Sequence, residues 1–284
     1  MQNTDIFSSI HTMYNSFTNT EKKLADYILK NKAQVMYMSI TDLADKANVA
    51  DSSVFRFCKA MKFGGYQEFK IALAQSLNKD NSEHHVDTEI LIEDSMSAMA
   101  EKVKQTNISA LDETYNLLNY NEVSLAVDAM IKAEKVRFFG VGSSLITAME
   151  GQNKFLRIMS KAECAVDAHL QSMSAALMSN REVAIVISYS GQTKDSIDVA
   201  KRAKEAGAMV ICITRFIKSP LTHYADITLL CGAHEGPLQG GSLSAKISQL
   251  YLLDIIYFEY FRRTFELSKA NKEKTSRAVA DKLV

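Results

Sequence analysis

Proline occurs only twice in the 284-residue chain, at Pro220 and Pro237, and glycine is scarce at 11. Before Gly140 the only glycines are the pair Gly64-Gly65. So little turn-forming material disfavours an all-β protein and excludes collagen-like or linker-rich designs. The four cysteines, Cys58, Cys164, Cys212 and Cys231, are far apart and form no C-x-x-C pair. That spacing is neither a disulfide framework nor a zinc site, so a reducing cytoplasm is the expected compartment. Net charge is also missing, with Lys+Arg 33 against Asp+Glu 33. The balance disfavours a polybasic nucleic-acid coat, an acidic tail and a strongly charged membrane-surface protein, but it leaves room for a small, local nucleic-acid reader. No apolar run approaches the roughly 18 residues of a membrane span. The opening MQNTDIFSSI has no basic n-region and no apolar h-region, so no signal peptide is expected.

What is present is ordinary globular material. Hydrophobic residues make up 47% and charged residues 23% of the chain, enough for a real core in one large or two modest domains. The uneven glycines predict a helical N-terminal half followed by strands punctuated by glycine. Residues 1–78 read as consecutive short helices. Thr18 with Glu21, and Ser39 with Asp42, form capping boxes in which hydroxyl and carboxylate satisfy each other's orphan amides. Asp51-Ser52-Ser53 suggests a third cap ahead of Val54, Phe57, Cys58 and Met61. Gly64-Gly65 is expected to stop that helix, and a fourth runs from about Tyr66 to Leu77.

Residues 40–61 fit a helix-turn-helix. Ala44 is small enough to let two helices touch, Asn48 tolerates the left-handed turn conformation, and Val49, Val54 and Phe57 are spaced to fill the junction. The second helix would lie in a major groove, presenting Ser52, Ser53, Phe55, Arg56 and Lys59. Arg56, Lys59, Lys62 and Lys70 against the single acid Glu68 make a local basic patch suited to phosphates. A helical bundle with solvated lysines fits the same pattern.

The polar stretch NKDNSEHHVD at 78–87 marks a domain boundary. Helical patterning returns from about 88 to 133, with Leu111, Tyr115 and Leu118 on one face. From Lys135 short apolar runs alternate with helices, which is the signature of a doubly wound α/β parallel sheet whose ligands bind at the carboxyl ends of its strands. Two strand ends carry hydroxyl-and-glycine loops, GVGSS at 140–144 and SYSGQT at 188–193. Each precedes a helix, so backbone N–H groups and the helix dipole converge there, and Ser143, Ser144, Ser188, Ser190 and Thr193 add neutral donors. Gly191 would permit close backbone approach. Such a site suits a phosphate, although serines of this kind also simply cap helices.

Other motifs fail on detail. Gly140-x-Gly142 is followed by Leu145 rather than the third small residue of a dinucleotide fingerprint, and neither a P-loop G-K-[ST] nor a nucleophile elbow is present. No cofactor or metal is implied. The pair His84-His85 reads as solvated, and His169 after Asp167 reads as structural or pocket-shaping. His234 and Glu235 are the only acid/base pair placed for chemistry, with a solvated loop the blander reading. The last long helix, about 242–263, is apolar nearly all round and is expected to be buried against both its sheet and a partner subunit.

With both constellations in view, the chain resembles the RpiR family of bacterial transcription regulators. The likeness rests on SSVFRFCKAMKFGGYQEFK (52–70), GVGSS, Asp167-x-His169, SYSGQT and SPLTHYAD (219–226), and extends from about Thr20 to Arg263. It implies a helix-turn-helix domain over 1–78, a linker and connecting helix over 79–106, and a sugar isomerase (SIS) domain over 107–284. It further implies a cytoplasmic homodimer or homotetramer that binds palindromic operator DNA and senses a phosphorylated sugar, and that is not an enzyme. The effector residues it implies are Ser144, Ser188, Tyr189 through its backbone, Ser190 and Thr193, with Ser143 adjacent, and the glycines Gly142 and Gly191 of the same two loops complete the expected site. An aldose–ketose phosphate isomerase on the same fold, with Glu235 as base, is the alternative. Where the family often has Ser-Arg before its last helix, this chain has Ala245-Lys246.

Overall fold

The computed structural model describes residues 6–80, 90, 92–233, 235 and 243–282. The chain divides into two compact units, with a boundary between Asn107 and Ile108 and with Glu235 grouped in the first unit.

The first unit is helical: α1 (Ile6–Met13), α2 (Asn19–Lys30), α3 (Lys32–Val35), α4 (Ile40–Lys46), α5 (Asp51–Ala60) and α6 (Tyr66–Asp80). Both capping boxes form: Thr18 Oγ accepts from the Glu21 N–H at the start of α2, and Ser39 from the Asp42 N–H at the start of α4. The third cap does not. Ala50 is the N-cap of α5, and Asp51 sits inside the helix, accepting a 2.8 Å hydrogen bond from the Thr41 hydroxyl on α4. Asn48 does take the left-handed turn, with φ 53°. The helix stop differs from expectation as well. α5 ends at Ala60 and the chain reverses at Lys62, whose φ is 66°; Gly64 and Gly65 have no positive φ. Leu24, Ile28, Leu43, Val54, Phe57, Phe69 and Leu73 close one core, with Phe57 edge-on to Phe69 at 5.8 Å. Emptying the fully buried Phe57 position to alanine costs about 3–5 kcal/mol.

The long α7 (Met96–Asn116) follows, then α8 (Tyr120–Lys132). On α7 the buried residues are Ala110 and Thr114, whereas Tyr115 is exposed, so the stripe of Leu111, Tyr115 and Leu118 is not its packing face. The sheet consists of β1 (Lys135–Gly140), β2 (Ala162–Cys164), β3 (Glu182–Ile187), β4 (Met209–Thr214) and β5 (Ile227–Leu230), all parallel, in the order β2-β1-β3-β4-β5. Between strands run α9 (Ser143–Leu156), α10 (Ala168–Ala176) and α11 (Lys194–Glu205), and α12 (Ser244–Arg263) and α13 (Phe265–Arg277) complete the unit.

Two cores cover the two faces. Phe138, Ile185 and Ile211 pack with Ala148 and Phe155 of α9 and Leu252 and Ile256 of α12. Phe139, Val186 and Cys212 pack with Ala175 of α10 and Ala200 and Ala203 of α11. The crossover therefore changes face between α9 and α10. β1 and β3 are the strands from which the chain departs in opposite directions. The crevice at such a switch point, beyond the carboxyl ends of its strands, is where doubly wound sheets bind ligands.

α12 buries Leu252, Leu253, Ile256 and Tyr257 against the sheet. Part of its outer side is covered from within the chain. Phe261 meets Phe265 of α13 at 5.8 Å, and Asn271 of α13 donates to the Ile158 carbonyl at 2.9 Å. Phe258 remains 67% exposed. Among the described residues no helix is long and apolar enough to cross a membrane.

Candidate functional site

β1 and β3 are hydrogen-bonded neighbours with Gly140 in register with Ile187, so GVGSS and SYSGQT leave the same edge of the sheet side by side. Gly142 is the N-cap of α9 at φ 59°, ψ −126°, a region open essentially to glycine alone. A Cβ built on it meets nothing within 4 Å, so this turn faces open space. Thr193 is the N-cap of α11 and its hydroxyl makes no capping bond; Gly142 supplies none to α9. Neither N-cap residue therefore caps its helix with a side chain, although α11 carries the acid Asp195 in its first turn.

The hydroxyls around this edge are graded in exposure. Ser188 is buried, while Ser143, Ser144, Ser190 and Thr193 are half-buried. Ser190 Oγ accepts the Gln192 N–H at 3.2 Å, which leaves its own proton to donate. Gly191 is at φ 62°, and a Cβ there would lie 2.2 Å from Ser219 Oγ and 3.2 Å from Thr214 Oγ1. Its carbonyl accepts the Leu221 N–H at 3.1 Å. The loop is therefore clamped from outside by the 219–221 turn, a role the sequence pattern did not reveal. Gln171 of α10 was also missed: buried, it donates to the Gly140 carbonyl at 2.9 Å and fixes the end of β1. A buried glutamine on a short helix gives no periodic signal from which this could be read.

Asp167 caps α10 by accepting the Leu170 N–H at 3.0 Å, which accounts for the acid, and His169 stands exposed one residue into that helix. Burial pushes the Cys58 and Cys212 thiols up to about 12, which leaves neither as a thiolate nucleophile near neutrality. Glu235 is buried, whereas His234 and the pair His84-His85 lie outside the described residues. The crevice is thus rich in neutral donors.

On the first unit, α5 exposes Ser52, Phe55, Arg56 and Lys59. The Lys59 ammonium lies over the Phe55 ring at 5.3 Å from its centroid. Ser53 is a correction. It is 7% exposed because its position on α5 faces the core beside Val54, and its Oγ accepts from Arg56 Nη2 at 3.2 Å. Lys70 is the second correction. It is buried, lies over the Tyr66 ring at 5.2 Å and donates to the Met38 carbonyl at 3.2 Å, which removes it from the surface basic patch. The patch that remains is Arg56, Lys59 and Lys62, all exposed.

Comparison with known proteins bears on both units. Residues 4–80 match the helix-turn-helix domain of the rpiR family, and residues 129–258 match the SIS domain. An uncharacterized HTH-type transcriptional regulator of Haemophilus influenzae is 34% identical over 282 residues, covering 99% of this chain and 98% of that one. The HTH-type transcriptional regulator HexR of Pseudomonas aeruginosa is 32% identical over 252 residues, covering 89% and 87%. Among solved structures, the Vibrio vulnificus NanR protein complexed with ManNAc-6P superposes with a TM-score of 0.88 at 27% identity, covering 98% of this chain and 99% of that one.

Proposed function

The chain belongs to the RpiR family, with a helix-turn-helix and an SIS domain, and from that premise we propose that it regulates a carbohydrate-metabolism operon under the control of a phosphorylated sugar. The observation that carries this reading is the pairing of two hydroxyl loops on adjacent parallel strands at the switch point, each opening a helix. Gly142, Ser143, Ser144, Ser188, Tyr189 (backbone), Ser190, Gly191 and Thr193 would hold the phosphate, with donors in place of counter-charges. The ManNAc-6P bound to NanR supports a sugar-phosphate class of ligand.

Residues 1–78 would bind operator DNA, 79–106 link the two functions and 107–284 sense the effector. On α5, Ser52, Phe55, Arg56 and Lys59 would meet the DNA, with Ser53 holding Arg56 rather than contacting it. A palindromic operator calls for a homodimer or homotetramer, working in the cytoplasm. The relatives are named as regulators, which favours binding over turnover. An isomerase would need Glu235 as its base.

A thermal-shift screen of sugar phosphates against the full chain tests the sensor reading. One of them is expected to stabilise the protein, and Ser190→Ala to weaken it about 10- to 100-fold through loss of one charge-assisted hydrogen bond. No stabilisation by any sugar phosphate would overturn the reading. Turnover abolished by Glu235→Gln would replace it with the isomerase.

A further inference from the structure

Tyr189 occupies the middle of the second loop, between Ser188 and Ser190, and it is held at both ends. Its backbone carbonyl accepts the Arg215 N–H at 3.0 Å and the Thr214 hydroxyl at 3.2 Å. Its phenol donates to the Ala233 carbonyl at 2.8 Å. Its ring packs against the buried trio Ala110, Ala233 and Ala245.

Three features of that surround lead to the last turns of α7. Ala110, under the Tyr189 ring, is an α7 residue. Arg215, which holds the Tyr189 carbonyl, sends its guanidinium to Glu113 of α7, and both side chains are largely shielded from solvent. Gly232, next to the Ala233 that holds the phenol, donates its N–H to Thr114 Oγ1 of α7 at 2.9 Å. Only glycine allows this approach, because a Cβ at 232 would lie 2.6 Å from Glu113 Cβ and 2.8 Å from the Thr114 nitrogen. Thr114 also donates to the Ala110 carbonyl at 2.7 Å, and Ser248 of α12 reaches the same carbonyl at 3.2 Å. The ring thus meets this turn of α7 directly, while the carbonyl is linked to it through Arg215 and the hydroxyl through the Gly232–Ala233 segment. Ala245 belongs to this contact, which accounts for a small side chain at that position. The helix itself is continuous from Met96 to Asn116, and the boundary between the two compact units falls within it.

We propose that Glu113 and Arg215 are positioning residues that read the occupancy of the SYSGQT loop out to α7, with Tyr189 as the part that moves. The proposal rests on the sugar-phosphate reading of the site. A phosphate gathered by Ser188, Ser190 and Thr193 shifts the segment that contains Tyr189. The Arg215 backbone follows the Tyr189 carbonyl, and α7 follows the Arg215 guanidinium through Glu113. Close-packed contacts pass on such shifts because cores adopt discrete arrangements and do not yield continuously. A purely structural ion pair would stabilise the fold without making operator affinity depend on the ligand.

The test uses the full chain and DNA from its own promoter region. Operator affinity is read by fluorescence anisotropy with and without ManNAc-6P, a panel of hexose and pentose phosphates, and inorganic phosphate; probe affinity is read by calorimetry. For the wild type, the most effective sugar phosphate is expected to change operator affinity by about 5- to 150-fold, the usual range of allosteric coupling. Glu113→Gln and Arg215→Met are each expected to bring that change below about twofold, with probe affinity and ligand-free operator affinity kept within about threefold. The double variant should lose no more than either single one, since both remove one connection. Arg215→Lys, which keeps the charge, should restore part of the response and guards against a variant that merely folds poorly. Full retention of the response in Glu113→Gln and Arg215→Met overturns the proposal, and so does a loss of probe affinity in step with the response. A wild type whose operator affinity responds to no sugar phosphate overturns the sensor reading itself, and the proposal with it.

Discussion

Replacing Gly191 with alanine separates two penalties that the structure assigns to different glycines. At Gly191 the backbone is at φ 62° and the new Cβ would lie 2.2 Å from Ser219 Oγ and 2.6 Å from Ser219 Cβ. At Gly142 the backbone is also strained, at φ 59°, but the Cβ would stand in open space. Left-handed backbone costs a non-glycine residue about 1–2 kcal/mol, and forcing atoms into a filled site adds about 1–3 kcal/mol. Gly191→Ala is therefore expected to cost about 2–5 kcal/mol, against about 1–3 kcal/mol for Gly142→Ala in its glycine-only region. Hydrogen exchange of the β3 and β4 amides measures this where it acts, since it reports the opening of the sheet itself. At the lower bound the Gly191→Ala amides exchange about thirtyfold faster than wild type. A second substitution, Ser219→Gly, removes the obstructing Oγ and Cβ and should recover the steric part in the Gly191→Ala background. No recovery with Ser219→Gly in the Gly191→Ala background would refute the claim that the 219–221 turn clamps the loop.

Two further outcomes follow from the first unit. Burial lowers Lys70 from 10.5 to about 8, partly offset by Asp42, so between those values the unfolded chain holds a proton that the folded one lacks. Stability should therefore rise as pH increases through that window, and the full penalty, at most about 3 kcal/mol, stands below pH 8. Lys70→Met should abolish this rise, so that the difference between variant and wild-type melts itself changes with pH across the window. It should also stabilise the protein at pH 7, because the Tyr66 hydroxyl still donates to the Met38 carbonyl. Unchanged pH dependence would contradict the assignment. On α5, Arg56→Ala or Lys59→Ala should weaken operator binding and, for whichever side chain meets a phosphate, lower the slope of log affinity against log salt by about 1. Lys70→Met should leave that slope unaltered, in contrast to a residue of the basic patch.

How far the sequence was legible depended on the range of the interaction. Thr18 with Glu21 and Ser39 with Asp42 were readable because a capping box is complete within four residues, and Asn48 because a left-handed turn restricts its occupant locally. Asp51 looked like a cap in isolation; its partner is Thr41, on the preceding helix. Lys62 reverses the chain where the glycine pair drew attention, since positive φ in a non-glycine residue leaves no compositional trace. Lys70 and Ser53 were placed on the surface by residue type, but their burial is set by Tyr66, Met38 and Arg56. α13 escaped notice because most of its face is polar. The two loops were legible through their glycines and hydroxyls. Their adjacency was not, because it depends on β3 pairing with β1 across the crossover that contains β2.

The central claim is that one chain binds operator DNA and a sugar phosphate at sites that are energetically linked. Linkage is reciprocal, so the most direct measurement compares two ratios on the same protein. One is operator affinity with and without a saturating sugar phosphate, and the other is sugar-phosphate affinity with and without saturating operator. The account predicts that both ratios depart from one by the same factor. Operator affinity that stays the same at every concentration of every sugar phosphate would contradict it.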